Sequence, residues 1–348
     1  MGSRKIINID GLKIGGHNPV RVESMLKTPL RDLDGCLQET DALLQNGCEL
    51  ARVSFPDMAL TDNFRKLIAN SKLRLMADIH FNYKLALAAI DAGCKAIRIN
   101  PGNMSGQGAV KEVIKAAQQA GTVIRIGANG GSLNNMQLDK TKGDRGAALV
   151  LAVEEQLRIL LDNAFERTIV SAKSTSVPET VRVNTLLSQK YPFPVHIGIT
   201  EAGGGLPGVV KGAIGIGLML SHGIGDTLRV SLTGPGVDEV KTGYDILRAL
   251  ELRKHGYNFI SCPTCGRRRI DVAKLSERVK DILPKDLPDG ITIAVMGCEV
   301  NGPREAAGAD LGIAGTPDGF VMFKHGEPVC SDTIDKLEDK LLQMIKTI

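Results

Sequence analysis

"NGCELARVSF" at residues 46–55 and "AGCKAIRINP" at residues 92–101 share one plan. A glycine suited to a left-handed helix stop leads into a β-rich run, and the run carries an arginine toward its end. "AGTVIRIGAN" (120–129) and "GIGDTLRVSLT" (223–233) repeat it. The repetition is weak in letters and clear in type. It predicts a chain assembled from strand–helix units.

Working outward, β-rich runs also stand at "PVRVESM" (19–25), "RLMADIH" (74–80), "RTIVSAK" (167–173) and "PVHIGIT" (194–200), giving eight with those at 48–55, 96–101, 123–129 and 227–233. Between them lie stretches with helical spacing of apolar residues. Leu37, Leu43 and Leu44 form one, and Leu85, Ala88 and Ile90 behind an Asn82 cap form another. "AVKEVIKAAQQAG" (109–121), "LVLAVEEQLRILLDNA" (149–164), "VPETVRVNTLLSQ" (177–189) and "VDEVKTGYDILRALELR" (237–253) continue the alternation. Eight repeats over about 250 residues predict a (β/α)8 TIM barrel, with a doubly wound open sheet as the alternative because alternation does not prove closure. The expected boundaries are 1–255 for the barrel and 256–348 for a small α+β domain. The latter is read from "LSERVKDIL", "ITIAVMGC", "ADLGIAG", "GFVMFKHGE" and a closing helix "TIDKLEDKLLQMIKTI".

Composition narrows the class. Among 348 residues, 43% are hydrophobic and 24% charged, as expected of a soluble globular protein. No apolar run approaches the roughly 18–20 residues of a membrane span, and none at the start has signal-peptide length, so a cytoplasmic, membrane-free protein is expected. A net charge of +4 is too mild to signal nucleic-acid binding. Seven cysteines, an odd number, argue against a disulfide framework.

Side chains on a strand alternate faces, so Arg52 pairs with Ser54, Arg98 with Asn100, Arg125 with Asn129, and Arg229 with Ser231. All lie toward the C-terminal ends of their strands, where barrel enzymes build their sites. His80 and Lys173 join them. Any one of these could be a structural ion-pair partner, but the strand-end acids in view, Asp78 and Glu201, are fewer than the cations. Burying unpaired charge costs several kcal/mol. The surplus predicts an anionic ligand, and arginine forks match phosphate oxygens, so a phosphate or diphosphate ester is expected. Glu201 is a candidate acid or base, and Asp78 an orienting partner for His80 or an arginine. "GGGLPG" (203–208) fits G-x-G-x-x-G only formally. It follows a late strand and contains Pro207, which suits a loop above the barrel better than a nicotinamide site.

Cys36, Cys48 and Cys94 fall on barrel helices or their ends and read as small buried hydrophobes. Cys262, Cys265 and Cys298 differ. The first two form C-x-x-C in "ISCPTCGRRRID" (260–271), and the third ends an apolar strand. A zinc ribbon lacks its second C-x-x-C here, a redox dithiol leaves Cys298 unexplained, and an iron–sulfur site can use a turn plus a remote cysteine. Spacing leaves any further ligand open among Glu305, Cys330, His325 and Glu299.

"ISCPTCGR" (260–267) with "VMGCEVNGPREA" (295–306) closely resembles the C-terminal signature of the 4-hydroxy-3-methylbut-2-enyl diphosphate synthase family, also called IspG or GcpE. "RVSFPDM", "ADIHFNYKLAL", "IRINPGN", "IRIGANGGSL", "SAKSTSVP", "GITEAGGG" and "LRVSLT" resemble family blocks in family order. The resemblance implies a TIM barrel followed by a 4Fe-4S cluster domain, without the middle domain of plant-type members. It implies cluster ligation by Cys262, Cys265, Cys298 and Glu305. It further implies reductive opening of 2-C-methyl-D-erythritol 2,4-cyclodiphosphate to (E)-4-hydroxy-3-methylbut-2-enyl diphosphate, with flavodoxin or ferredoxin as electron donor. The implied diphosphate cradle is Arg52, His80, Arg98, Arg125 and Lys173, with Arg229 and Ser231 nearby. Asn100 and Asn129 share the faces of that cradle, and Glu201 matches an acidic residue near the substrate hydroxyls. A head-to-tail homodimer is implied, with each site shared between chains. Two departures stand out: Arg304 replaces glycine in the usual "NGPGE", and "VESMLKT" (22–28) replaces the more typical "VQSMTNT". The alternative from another class is a zinc-stabilised barrel protein that binds RNA through "CGRRR".

Overall fold

The computed structural model describes residues 3–101, 104, 108–284, 287–300 and 302–347. The chain divides after Arg253 into two compact units.

The first unit opens with a hairpin, β1 (Ile7–Ile9) and β2 (Leu12–Ile14), paired antiparallel. Its two-residue turn is Asp10–Gly11, with φ of 45° and 82°. Positive φ at both positions suits the twist of a tight hairpin and explains the glycine. Eight strands follow: β3 (Arg21–Met25), β4 (Leu50–Ser54), β5 (Leu75–Asp78), β6 (Ala96–Ile99), β7 (Val123–Asn129), β8 (Thr168–Lys173), β9 (His196–Ile197) and β10 (Thr227–Leu228). They form one parallel sheet in the order β8-β7-β6-β5-β4-β3-β10-β9. A parallel bridge between Val170 and Val195 joins β8 to β9 and closes the ring. All eight runs read from the sequence are therefore strands of a barrel, and the open-sheet alternative is excluded.

Helices α1 (Leu33–Gln45), α2 (Thr61–Asn70), α3 (Tyr83–Asp91), α4 (Ala109–Ala120), α5 (Asn135–Lys140), α6 (Arg145–Asp162), α7 (Val177–Lys190), α8 (Gly205–Ser221) and α9 (Gly236–Ala249) connect the strands. Asn82 caps α3 by accepting from the Lys84 N–H. Gly47, Gly93, Gly121 and Gly223, the stops in the repeated plan, all have φ between 69° and 90°. One periodicity reading shifts: α1 buries Cys36, Thr40 and Leu43, while Leu44 is exposed.

Two apolar layers hold the barrel. Between strands and helices lies the main core, with Val22, Val53, Phe55, Phe64, Ile97, Leu149 and Ile197 among its members. Inside the barrel, the first inward positions of β4 to β8 (Leu50, Met76, Ala96, Val123 and Ile169) pack against Ile7, Ile9, Leu12 and Ile14 of the hairpin. The hairpin thus plugs the N-terminal end of the barrel. Polar inward residues begin one step higher.

The second unit has β11 (Asn258–Ser261), α10 (Val272–Ile282), β12 (Thr292–Met296), α11 (Gly302–Glu305), β13 (Leu311–Thr316), β14 (Gly319–Lys324), β15 (Glu327–Asp332) and α12 (Leu337–Ile345). Strands β11, β12 and β13 run parallel, and β14 and β15 add antiparallel partners. Leu275 and Val279 of α10, with Leu337 and Leu341 of α12, cover one face over Ile293, Val295, Ile313 and Met322. Sequence periodicity did not mark β1, β2, β11 or β15.

Candidate active site

The C-terminal mouth of the barrel holds a cavity lined by Arg52, Arg98, Arg125, Asn129, Ser171, Lys173, Thr200, Arg229 and Ser231. Seven of these were expected from strand alternation. The remaining expected residues lie elsewhere. His80 is two residues beyond β5 with about half its side chain exposed, its Nε2 3.3 Å from Arg98 Nη1. Asn100 is half-buried just past β6, and Glu201 is exposed, at φ +50°, outside the lining. A glutamate in the left-handed region is uncommon.

The expected acid count needs correction. Three buried carboxylates, Asp78, Glu23 and Glu239, neutralise part of the ring, and Glu201 is not among them. Asp78 Oδ2 is 3.4 Å from Arg52 Nε, and its Oδ1 is 3.3 Å from Arg98 Nη1. Glu23 Oε2 accepts from Arg125 Nη1 at 2.6 Å. Glu239, on α9, accepts from Arg229 Nε at 3.1 Å and Nη2 at 2.9 Å. Lys27 Nζ also approaches Glu239 at 3.2 Å. Glu23 and Glu239 escaped notice because one sits in the middle of its strand and the other in a helix, and neither is at a strand end. The visible signal was a charged residue inside apolar runs, "RVESM" and "GVDEV".

Electrostatics still favour an anion. Burial opposes ionisation of Asp78, but its hydrogen bond to His80 and the Arg52 and Arg98 charges hold its carboxyl below the usual range. Burial likewise opposes Glu23, and Arg125 and His196 overcome it. The cations feel the reverse pressure. Burial and the neighbouring arginines, set against Asp78, bring Arg52 down to about 10. Lys173 is pushed well below its ordinary value by burial and by Arg52, Arg125 and Arg229. A ring of this kind gains most from a ligand with several negative oxygens.

The glycine-rich stretch 203–208 starts α8. A Cβ on Gly208 would come 2.6 Å from Gly203 O, and one on Gly215 would come 2.4 Å from Ile199 Cδ1, so these glycines let the helix lie close to its surroundings. That is a packing role, and the nicotinamide reading gains nothing from it.

In the second unit, Cys262 directly follows β11, Cys298 lies two residues past β12, and these neighbouring strands are parallel. Both thiols are therefore delivered to the same sheet end. Cys265 is exposed in the following turn, where Thr264 (φ +68°) donates its N–H to Cys262 Sγ at 3.4 Å. A Cβ on Gly297 would stand 3.7 Å from the same sulfur. Glu305 is exposed at the end of α11. Among the described residues no three His, Cys, Asp or Glu side chains gather closely enough for a single ion. The donor set itself, thiols from two neighbouring strand ends and a turn that donates an N–H to a cysteine sulfur, is of the kind that holds an iron–sulfur group. Of the other ligand candidates, Cys330 packs against the apolar core of the unit, and Glu299 lies with Oε1 3.8 Å from Arg269 Nε and Oε2 buried without a partner. By contrast burial lifts the Cys36, Cys48 and Cys94 thiols to about 11, 12 and 11. They remain protonated hydrophobes.

Comparisons with known proteins agree with both units. The model of the GcpE TIM-barrel domain matches residues 4–244, and that of the GcpE C-terminal domain matches residues 258–347. The chain is 42% identical to the 4-hydroxy-3-methylbut-2-en-1-yl diphosphate synthase (flavodoxin) of Geobacter sulfurreducens, over 98% of this chain and 97% of that protein. It is 44% identical to the same-named protein of Maridesulfovibrio salexigens, over 92% and 89%. Among solved structures, N-acetylneuraminic acid synthetase from Leptospira borgpetersenii aligns with a TM-score of 0.51 at 13% identity, covering 80% of this chain and 96% of that one. Dihydropteroate synthase from Yersinia pestis aligns at 0.50 and 12%, covering 72% and 100%. These two likenesses concern the fold alone.

Proposed function

The chain belongs to the GcpE family of 4-hydroxy-3-methylbut-2-en-1-yl diphosphate synthases, and from that premise we propose how its residues divide the work. It is an oxidoreductase of isoprenoid biosynthesis that converts 2-C-methyl-D-erythritol 2,4-cyclodiphosphate to (E)-4-hydroxy-3-methylbut-2-enyl diphosphate, and an iron–sulfur enzyme. The RNA-binding alternative has no support. The observation that carries our reading is the cation-lined cavity at the barrel mouth.

In this reading the barrel, 1–255, binds substrate and 256–348 holds the cluster. Arg52, Arg98, Arg125, Lys173 and Arg229 grip the diphosphate, with Asn100, Asn129 and Ser231 supplying hydrogen bonds. His80, linked to Arg98 and exposed, meets the substrate from the rim. Glu201 holds or moves a proton at a substrate hydroxyl. Cys262, Cys265, Cys298 and Glu305 hold a 4Fe-4S cluster, which when bound supplies Lewis acidity and single electrons. A flavodoxin donor is supported by the names of the relatives. Ferredoxin is the alternative donor. Thiols and cradle belong to separate units of the chain, which is compatible with a head-to-tail homodimer sharing its sites. No helix among the described residues is long and apolar enough to cross a membrane, and we place the enzyme in the cytoplasm.

The test is anaerobic reconstitution followed by turnover of the cyclic diphosphate with a strong artificial reductant. About four irons and four sulfides per chain are expected, with product formed. Zinc in their place, or a loaded cluster without turnover, would overturn the reading.

A further inference from the structure

Beneath the cavity runs a short chain of hydrogen bonds that the cradle alone does not explain. Lys173 Nζ lies 2.8 Å from His196 Nε2, and His196 Nδ1 lies 2.7 Å from Thr227 Oγ1. All three residues are buried, at 7%, 1% and 0% exposure. His196 and Thr227 are register partners on β9 and β10, so neighbouring strands set the two side chains next to each other. Gly198 completes the arrangement: a Cβ there would come 2.5 Å from Arg229 O and 3.3 Å from Lys173 Nζ.

With an anion in the cavity to keep Lys173 protonated, the donor inventory sets the direction of each bond. An ammonium only donates, so it needs Nε2 bare, and a neutral imidazole then carries its proton on Nδ1. Thr227 Oγ1 accepts that proton's hydrogen bond, and Glu23 Oε2, 3.5 Å from Nδ1, favours the same tautomer. Burial, with the Lys173 and Arg125 charges, keeps the imidazole neutral against the pull of Glu23. Arg52 from β4, Arg125 from β7 and Arg229 just past β10 all repel a charge on Lys173, and Glu23 from β3 attracts it. A lysine so placed keeps its proton more easily with a good acceptor in contact.

We propose that Thr227 and His196 are positioning residues for Lys173: Thr227 accepts from Nδ1–H and, with Glu23, keeps the proton there, and the bare Nε2 holds the ammonium aimed at the anionic ligand. The proposal deepens the diphosphate reading of the cavity and rests on it.

Two measurements on anaerobically prepared holoprotein test it. The first is calorimetric affinity for inorganic pyrophosphate. Thr227→Val, nearly isosteric, should bind roughly tenfold more weakly because Nδ1–H then loses its close acceptor and the ring its anchor, whereas Thr227→Ser should stay within about twofold. His196→Gln keeps an acceptor and should retain most affinity. Equal affinity in the Val and Ser variants, both folded by circular dichroism, would overturn the proposal. The second is the 15N spectrum of labelled histidine, with the His196 signal assigned by its loss in His196→Gln. A proton on Nδ1 is expected, and one on Nε2 would overturn the proposal even if Thr227→Val did not fold. Failure of the wild-type protein to bind pyrophosphate would instead remove the cavity reading, and the relay's purpose with it.

Discussion

Arg125 reaches across the barrel to Glu23, Nη1 to Oε2 at 2.6 Å, with both side chains 2% exposed. Their strands, β7 and β3, are four places apart in a ring of eight and so stand on opposite walls. The pair spans the interior. Arg125 also lines the cavity above, so one guanidinium serves both the wall-to-wall bond and the ligand space.

Glu23 occupies the position of glutamine in the more typical "VQSMTNT", so Glu23→Gln separates these two services. The amide keeps the shape and removes the countercharge of a buried pair, at a cost of about 3 kcal/mol in stability. The cavity gains positive charge, and inorganic pyrophosphate should bind roughly tenfold more tightly. Denaturant melts and calorimetry together check this. Weaker binding would show that the carboxylate is needed to aim Arg125.

His196 predicts a particular response to acid. Its folded value lies well below 6.5, so the unfolded chain takes up a proton as pH falls through 6.5 while the folded barrel does not. Stability should therefore fall below pH 6.5 by up to about 1.4 kcal/mol per unit from this group. Glu23, held below 4.5, contributes stability that is present above that value and lost as pH drops further through its folded value. Urea melts of His196→Gln should lose the first stage and keep the second. An unchanged slope just below pH 6.5 would mean the imidazole is not buried neutral.

Glu239 carries more bonds than any other acid of the ring. It accepts from Arg229 Nε and Nη2, from Ser24 Oγ at 3.0 Å and from the Leu232 N–H at 3.1 Å, with no exposed surface. Glu239→Ala should cost on the order of 3 kcal/mol, because a partly buried guanidinium loses its fully buried partner. With Arg229 released, KM for the cyclic diphosphate should rise while the visible absorption of the cluster stays unchanged. A normal KM in a folded variant would remove Arg229 from the cradle.

Thiol reactivity should split along the two units. A thiol lifted to about 12, as in Cys48, is about one part in ten thousand thiolate at pH 8. In folded apoprotein, iodoacetamide should label exposed Cys265 and leave Cys36, Cys48 and Cys94 unlabelled, as read by mass spectrometry. Cys298→Ser should lose the intact cluster with the barrel's circular dichroism preserved. Full iron content in that variant would exclude Cys298 as a ligand.

The barrel was legible because glycine stops and β-rich runs are local signals that repeat. The cation ring was legible for a similar reason, since alternation along a strand needs no knowledge of its neighbours. What the sequence did not reveal depends on pairing across the chain. Glu23 meets Arg125 over 102 positions, and Glu239 acts from a helix, where no strand-end rule applies. His196 was passed over inside "PVHIGIT" as an ordinary strand residue. Its role is visible only when Lys173 arrives from the adjacent strand. Strands β1 and β2 were missed because three-residue strands carry too little pattern to read.

The hairpin that packs Ile7, Ile9, Leu12 and Ile14 beneath the barrel makes the interior a cup rather than a tube. Traffic through a cup is one-way at a time. Whatever reaches the arginines must come over the same rim by which it leaves, so spent diphosphate blocks its own successor until it is gone. The apolar floor also gives a charged ligand nowhere deeper to sink, and this fixes how far it descends. The least polar part of the barrel thereby sets the depth at which its most polar part is used.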